Sequence, residues 1–391
     1  MGDIIYLDHA ATTPLDEEVF EAMLPYLREK FGSASTLYAA GREAREAVEE
    51  SREKVARLIG ARPEEVYFTG GGSESDNWAV FGVAAAKADK GRHIITCAIE
   101  HHAVLEPCHT LEKQGYDVTV LNVDSNGFVD IDELASSITN ETVLITIMHA
   151  NNETGTIEPV AEIGRIAKDR SVHFHTDTVQ TVGHIPTDVN AINCDSLAIS
   201  AHKLYGPKGV GAMYIRKGAR VEKLIRGGGQ ESNRRAGTHN VPGIVGLGKA
   251  AELAKQRMAE EAEQTTRLRD ALIVGIEERI KDVRLNGDRV KRLPNNVNFS
   301  FEGVEGESMI LRMDMNGICV SSGSACTSQS LDPSHVLMAL GLKHEQAHGS
   351  LRMTLGKDNT PAHVEKVLEV LPGIVQVLRE MSPIYAERKG Q

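Results

Sequence analysis

Between about residues 60 and 215 one phrase recurs: a short apolar run, a polar or glycine-rich cluster, then a helix-forming stretch. The runs are "EVYFT", "HIITCAI", "DVTVLNV", "VLITIMHA", "VHFHTD", "SLAIS" and "GAMYI". Such alternation predicts an α/β domain with a largely parallel sheet. In open α/β sheets, ligands collect outside the carboxyl ends of the strands. The clusters "GGGSESDN", "EHHAV", "NNETG", "DTVQ" and "SAHK" each follow directly on an apolar run, so five polar clusters are expected to face one crevice.

The pattern then changes. Residues 243–283 are helix-forming, with apolar positions near the 3.6 period, and are expected to leave the first domain and enter a second. There, "VRLNG", "PNNVNFSFE", "GICVSSG" and "SLRMTLG" read as strands of a smaller α/β domain. A length of 391 residues accommodates both. Acidic residues number 55 against 43 basic ones, and a net charge of −12 argues against nucleic acid as a main partner. The opening "MGDIIYLDHAATTP" has no basic segment followed by an apolar run, so no signal peptide is expected. No apolar stretch reaches the ~18–20 residues of a membrane span, so no membrane partner is expected either. Cysteines at 97, 108, 194, 319 and 326 form no C-x-x-C, which speaks against a disulfide framework and a zinc site of ordinary spacing. The expected compartment is the cytoplasm.

Three clusters suggest chemistry. In "VYFTGGGSESDN" a strand ends at Thr69, glycines 70–72 turn, and Ser73, a candidate cap, begins a helix with Glu74. Amides at a helix start beside glycines suit a phosphate, although such turns are also common as structure alone. In "HFHTDTVQ", His173, His175 and Asp177 share one face of a strand, which invites zinc or iron. The competing assignment gives function to Asp177 and Gln180 only and leaves the histidines as packed, hydrogen-bonded residues. In "LAISAHKLYGPKG", Lys203 follows an apolar strand, where a dry amine can attack an aldehyde, and Ser200 and His202 add donors. A ligand with a phosphate, an aldehyde and a ring nitrogen that profits from a carboxylate satisfies all three, and pyridoxal phosphate fits. A metal would leave Lys203 and the glycine turn unused.

With these pieces in order, the chain resembles the cysteine desulfurases of the NifS/IscS type, class-V aminotransferase-like enzymes of pyridoxal-phosphate fold type I. The likeness runs from "YLDHAATTP" to "LPGIVQVLREMSP", and its most specific pieces are "EHHAV", "HANNETGT", "HTDTVQ", "SAHKLYGPKG", "GGGQESNRRAGT" and "SSGSACTS". It implies a large cofactor-binding domain over 15–255 with a mainly parallel seven-stranded sheet. A smaller α/β C-terminal domain would span 256–391, joined by residues 1–14 and carrying a sulfur-accepting cysteine loop. The implied activity converts L-cysteine to L-alanine, with the sulfur caught as a persulfide on Cys326 for an iron–sulfur scaffold or another acceptor.

Residue by residue, the resemblance assigns the Schiff base to Lys203 and ring stacking with proton transfer to His101. Asp177 would pair with the ring nitrogen, and Gln180 and Asn151 would lie near the phenolic oxygen and the substrate. Gly72, Ser73, Ser200 and His202 would cradle the phosphate, and Thr238 would reach the phosphate of the other subunit of a homodimer. Arg352 would grip the substrate carboxylate. No metal is expected. The chain departs from the family's usual pattern at Ser73, at Thr178 and in "FGSASTLYAAG", where Tyr38 stands in place of histidine. Cys97 and Cys319 read as buried thiols, and Arg234 and Arg235 as surface charges or interface residues. The alternatives are a selenocysteine lyase or another pyridoxal-phosphate lyase of sulfur amino acids, a metal-dependent hydrolase, and a non-enzymatic scaffold-binding relic.

Overall fold

The structure, a computed structural model, describes residues 4–322, 333–382 and 385. Cys326 and the terminal "ERKGQ" lie outside the described residues.

Each of the seven apolar runs forms a strand. These are β2 (Val66–Thr69), β3 (His93–Cys97), β4 (Asp117–Leu121), β5 (Thr142–Thr146), β6 (His173–Asp177), β7 (Ser196–Ser200) and β8 (Gly211–Ile215). They follow β1 (Ile5–Tyr6) and make one sheet in the order β2-β8-β7-β6-β5-β3-β4. Only β8 is antiparallel to its neighbours, β2 and β7. The central strands are buried on both faces, which is why they read as continuous apolar runs rather than alternations. One face packs Ile94 and Leu144 against Trp78, Val83, Val104 and Leu111. The other packs Ile95, Ile145, Phe174 and Leu197 against Val48, Val55, Ile163 and Leu247.

The expected long helix runs from Val241 to Arg279, 39 residues. It starts two residues before the expected 243, because Pro242 in the first turn gives up an amide that has no intrahelical partner there, and the Asn240 side chain accepts from Gly243 N (3.2 Å). Ala254 is its last residue in the core of the large sheet, and Leu268 its first in a second core.

That second core surrounds an antiparallel sheet of β9 (Val283–Leu285), β10 (Asn296–Phe301) and β12 (Ser350–Thr354), ordered β12-β10-β9. "GICVSSG" contributes only the two-residue β11 (Ile318–Cys319), which pairs in parallel with β1, while Ser321 bridges to Arg352. The N-terminal segment thereby enters the second core through Leu7.

Candidate active site

Asp177, Lys203 and His101 reach the crevice from the carboxyl ends of β6, β7 and β3. Asp177 closes β6 and accepts from Val179 N through Oδ1 (2.8 Å). Burial, reinforced by the nearby Asp76 carboxyl, pushes the Asp177 acid up to about 7. Lys203 ends the one-turn 3₁₀ helix Ala201–Lys203 that follows β7. Its Nζ donates to the carbonyls of Ala10 and Ala11, the latter at 2.9 Å, and Gln180 Nε2 also donates to the Ala10 carbonyl (3.1 Å). The segment "DHAATTP" is thus part of the site wall, a role that its sequence alone did not suggest; Thr13 N secures it to the His202 carbonyl (2.9 Å).

His101 caps the helix His102–Lys113, its Nδ1 accepting from Ala103 N (3.1 Å). A neutral ring in that bond carries its proton on Nε2. Burial and the neighbouring Lys203 charge lower its pKa to about 4, so the imidazole is neutral at pH 7.

At the other end of the crevice, β2 runs into Gly71, whose φ of +150° is accessible to glycine, and the helix Gly72–Ala86 begins. Ser73 is therefore inside the first turn and is not the cap. Gly71 holds that position without a side-chain hydrogen bond, because the turn needs its backbone geometry. The first intrahelical bond is Ser75 N to the Gly71 carbonyl (3.2 Å), so the amides of Gly72, Ser73 and Glu74 precede the bonded turns. A Cβ on Gly72 would stand 2.6 Å from Val179 Cγ2, so only glycine lets this turn approach the end of β6. Gly70–Ser73, Ser200, His202 and Lys208 line a cleft of about 530 Å³. His202 Nδ1 meets Thr12 Oγ1 there at 3.1 Å.

Arg352, on β12, is buried; its Nη2 pairs with Asp8 Oδ1 (2.9 Å) and its Nη1 donates to the Asn152 carbonyl (3.1 Å), while Nε has no partner among the described residues. Asn151 differs from expectation. It is fully buried, with Oδ1 accepting from Glu153 N and Thr154 N (2.9 Å each) and Nδ2 donating to the Ile99 carbonyl (2.9 Å). Its amide is used to fold the loop and is not offered to a substrate. The half-buried Asn152, whose carbonyl accepts from Arg352, has no side-chain hydrogen bond among the described residues.

The histidines of the H-x-H-x-D run share a face, as expected, but their nitrogens are engaged. His173 Nε2 and His175 Nδ1 both meet Ser196 Oγ (2.9 and 3.0 Å), and His175 Nε2 meets Asp76 Oδ1 (3.2 Å). Among the described residues no group of three or more His, Cys, Asp or Glu is arranged to hold a metal. Thr238 is exposed on the loop after Gly237 (φ +116°). Arg235 is no loose surface charge: it pairs with Glu74 through two bonds of 2.9 and 3.0 Å. Cys97 is buried and Cys319 partly so, and burial raises both thiols. The described flanks of the Cys326 segment lie at the crevice. Ser321 exchanges backbone bonds with Arg352 (3.1 and 2.7 Å), and His335 Nε2 meets the Glu100 carbonyl (2.9 Å), next to His101.

Residues 5–367 match the family described as aminotransferase class-V. The chain belongs to that family. It is 57% identical over 385 residues to the cysteine desulfurase IscS of Dictyoglomus turgidum, covering 98% of each chain. It is 54% identical over 380 residues to the cysteine desulfurase IscS of Methanosarcina thermophila, covering 97% of this chain and 94% of that one. Among solved structures, a NifS-like protein superposes with a TM-score of 0.90 at 38% identity, over 96% of this chain and all of that one. Within the family the chain stands among the pyridoxal-phosphate-dependent cysteine desulfurases of fold type I.

The crevice fits that cofactor in its donor set. A glycine cradle that a Cβ would fill offers amides at one end, a lysine amine stands beside His101, and a buried carboxyl waits for a cationic partner.

Proposed function

We propose that this crevice breaks the Cβ–S bond of L-cysteine, leaving L-alanine and passing the sulfur to Cys326. The observation that carries this is the convergence of Lys203, His101 and Asp177 from three strand ends, close enough for the Lys203 charge to act on both of the others. When bound, pyridoxal phosphate supplies a sink for the electron pair released at the substrate Cα.

The remaining work falls to the chain. The amides of Gly72 and Ser73, with Ser200 and His202, would hold the phosphate. Lys203 would hold the cofactor's aldehyde carbon, and its Nζ would serve as the base for the substrate Cα proton. Burial raises the Asp177 acid, so a cationic ring nitrogen of the cofactor would favour its charged form and be stabilised by it in return. Neutral His101, with its proton on Nε2, would be a hydrogen-bond donor toward the bound cofactor or substrate. Arg352 is held by Asp8 and the Asn152 carbonyl in readiness for a carboxylate, and Asn152 or Gln180 orients the polar groups beside it.

In the sulfur step the Cys326 thiolate attacks the substrate sulfur. An S–S bond forms, the Cβ–S bond breaks, and the bonding pair remains with the carbon fragment, which takes up protons to become alanine. The same proposal includes a homodimer in which Thr238 reaches the partner's cofactor phosphate. Phe31 and Leu37, 86% and 80% exposed in the single chain, support such a pairing. An iron–sulfur scaffold is the favoured acceptor, in keeping with the IscS relatives, and the cytoplasm the favoured compartment; no described helix is long and apolar enough to cross a membrane. Incubating the holoprotein with L-cysteine and a thiol reductant should release alanine and sulfide in equal amounts, with L-selenocysteine as a competing substrate. Pyruvate and ammonia in place of alanine would overturn the proposal.

A further inference from the structure

Glu74 stands where an anion site should not have a carboxylate. It belongs to the first turn of the helix Gly72–Ala86, lines the same cleft as Gly70–Ser73, and accepts from Gly70 N through Oε2 (2.7 Å). An acid in a helix's first turn favours the helix. The same charge would repel a phosphate on the neighbouring amides.

Arg235 answers that charge. Its Nε and Nη2 each bond one Glu74 oxygen, at 2.9 and 3.0 Å, with the two side chains only 22% and 19% exposed. The guanidinium is delivered by a loop that is costly to form, since Glu231, Ser232 and Asn233 are consecutive non-glycine residues with φ of 48°, 53° and 64°. The loop is anchored by the buried Glu231 carboxylate, which receives Arg52 Nη1 and Nη2 (2.7 and 2.9 Å), His239 Nε2 (2.7 Å) and Phe68 N (2.8 Å). Phe68 lies on β2, which leads into the glycine turn, so loop and cradle share one footing. Glu231 thereby fixes the loop on the sheet edge, and Arg235 carries it across to the helix start.

We propose that Arg235 is a positioning residue for the cofactor phosphate: it neutralises Glu74 and keeps that carboxylate turned to Gly70, leaving the next amides open to an anion. This rests on the assignment of the cleft to the phosphate. Lys208 and His202 are the other charged or titratable groups lining the cleft.

The test is a double-mutant cycle on the apoprotein of the full chain, titrated with pyridoxal phosphate and, as a control without the anion, with pyridoxal. Arg235→Met should weaken pyridoxal phosphate binding about tenfold, more at low salt, and leave pyridoxal binding within about twofold. Glu74→Gln should bind at least as well as wild type, and in that background Arg235→Met should cost less than about threefold. A loss from Arg235→Met that persists undiminished in the Glu74→Gln background, or that extends equally to pyridoxal, would make Arg235 a loop tie only and overturn the proposal, as would an Arg235→Met protein that binds like wild type. Inorganic phosphate should compete with pyridoxal phosphate in the wild type. If it does not, the phosphate assignment itself fails, whatever the variants do.

Discussion

His101 and Lys203 stand four and three residues beyond β3 and β7, and Asp177 is the last residue of β6, whereas Arg352 lies within β12 and is located by partners 344 and 200 positions away, Asp8 and Asn152. On the large-sheet side, the strand itself aims the functional group, and a short stretch of chain is enough to place it. On the small-domain side, placement depends on the second core, the N-terminal segment and the loop after β5 all being docked. The large-sheet side should therefore govern bond making, and the small-domain side the holding of substrate and the delivery of sulfur.

The largest expected effect is that of Lys203→Ala, which should lower turnover by at least about a thousandfold and abolish the cofactor attachment that borohydride fixes to this residue. Turnover within tenfold of wild type would place the chemistry elsewhere than at the strand ends. Cys326→Ala should retain cofactor and L-cysteine binding but form no protein persulfide, read by alkylation and mass spectrometry after one turnover. Cys319→Ala should remain close to wild type, because its strand pairs with β1 in the second core. A persulfide on Cys319 would reverse the two assignments.

Arg352→Ala should raise KM for L-cysteine by a factor corresponding to about 2–5 kcal/mol, the range for removing one partner of a desolvated charge pair, with the cofactor spectrum intact. Asp8→Asn leaves the guanidinium in place and should cost about 1 kcal/mol in the same measurement. A kcat loss with unchanged KM in Arg352→Ala would erase the division of labour between the two sides.

The smallest effect is expected at His101. With its folded pKa lowered to about 4 against an ordinary 6.5, the unfolded chain binds the extra proton first, so this group's contribution to stability is complete above about pH 6.5 and is lost as the pH falls toward 4. In the apoprotein its ring carbon resonance should accordingly stay flat from pH 9 to 5. A midpoint near 6.5 would mean that the ring is not held as described.

The same contrast governs what could be read in advance. Two-sided burial makes each strand of the large sheet an apolar run, and the crossover connections put its polar clusters at one end, so the sheet, the crevice, Lys203 and Asp177 were all legible in the sequence. Asn151 and Asn152 were not separable, because adjacent identical residues differ only in which way the loop turns them. Ser73 looked like a cap because serine often is one, but the unusual backbone of Gly71 took that position. The pairs Arg352–Asp8 and Arg235–Glu74 join positions 344 and 161 residues apart, and no local pattern announces them. The two histidines before Asp177 carry the spacing of ligands and the surroundings of buried structural groups, a distinction that only Ser196 and Asp76 could decide.

The helix Val241–Arg279 extends about 58 Å at 1.5 Å per residue. Between Ala254 and Leu268, only Thr265 is buried, so this middle stretch has little apolar packing and is tied to the fold by polar contacts, Arg257 with Asp16 and Glu18, and Gln264 Nε2 with the carbonyls of Lys357 and Asn359. Helix growth is cooperative and a fresh nucleus is costly, so melting either core frays the rod on which the other rests. Heat or denaturant should therefore meet one cooperative unit despite the two hydrophobic cores, with amide exchange fastest midway along the rod.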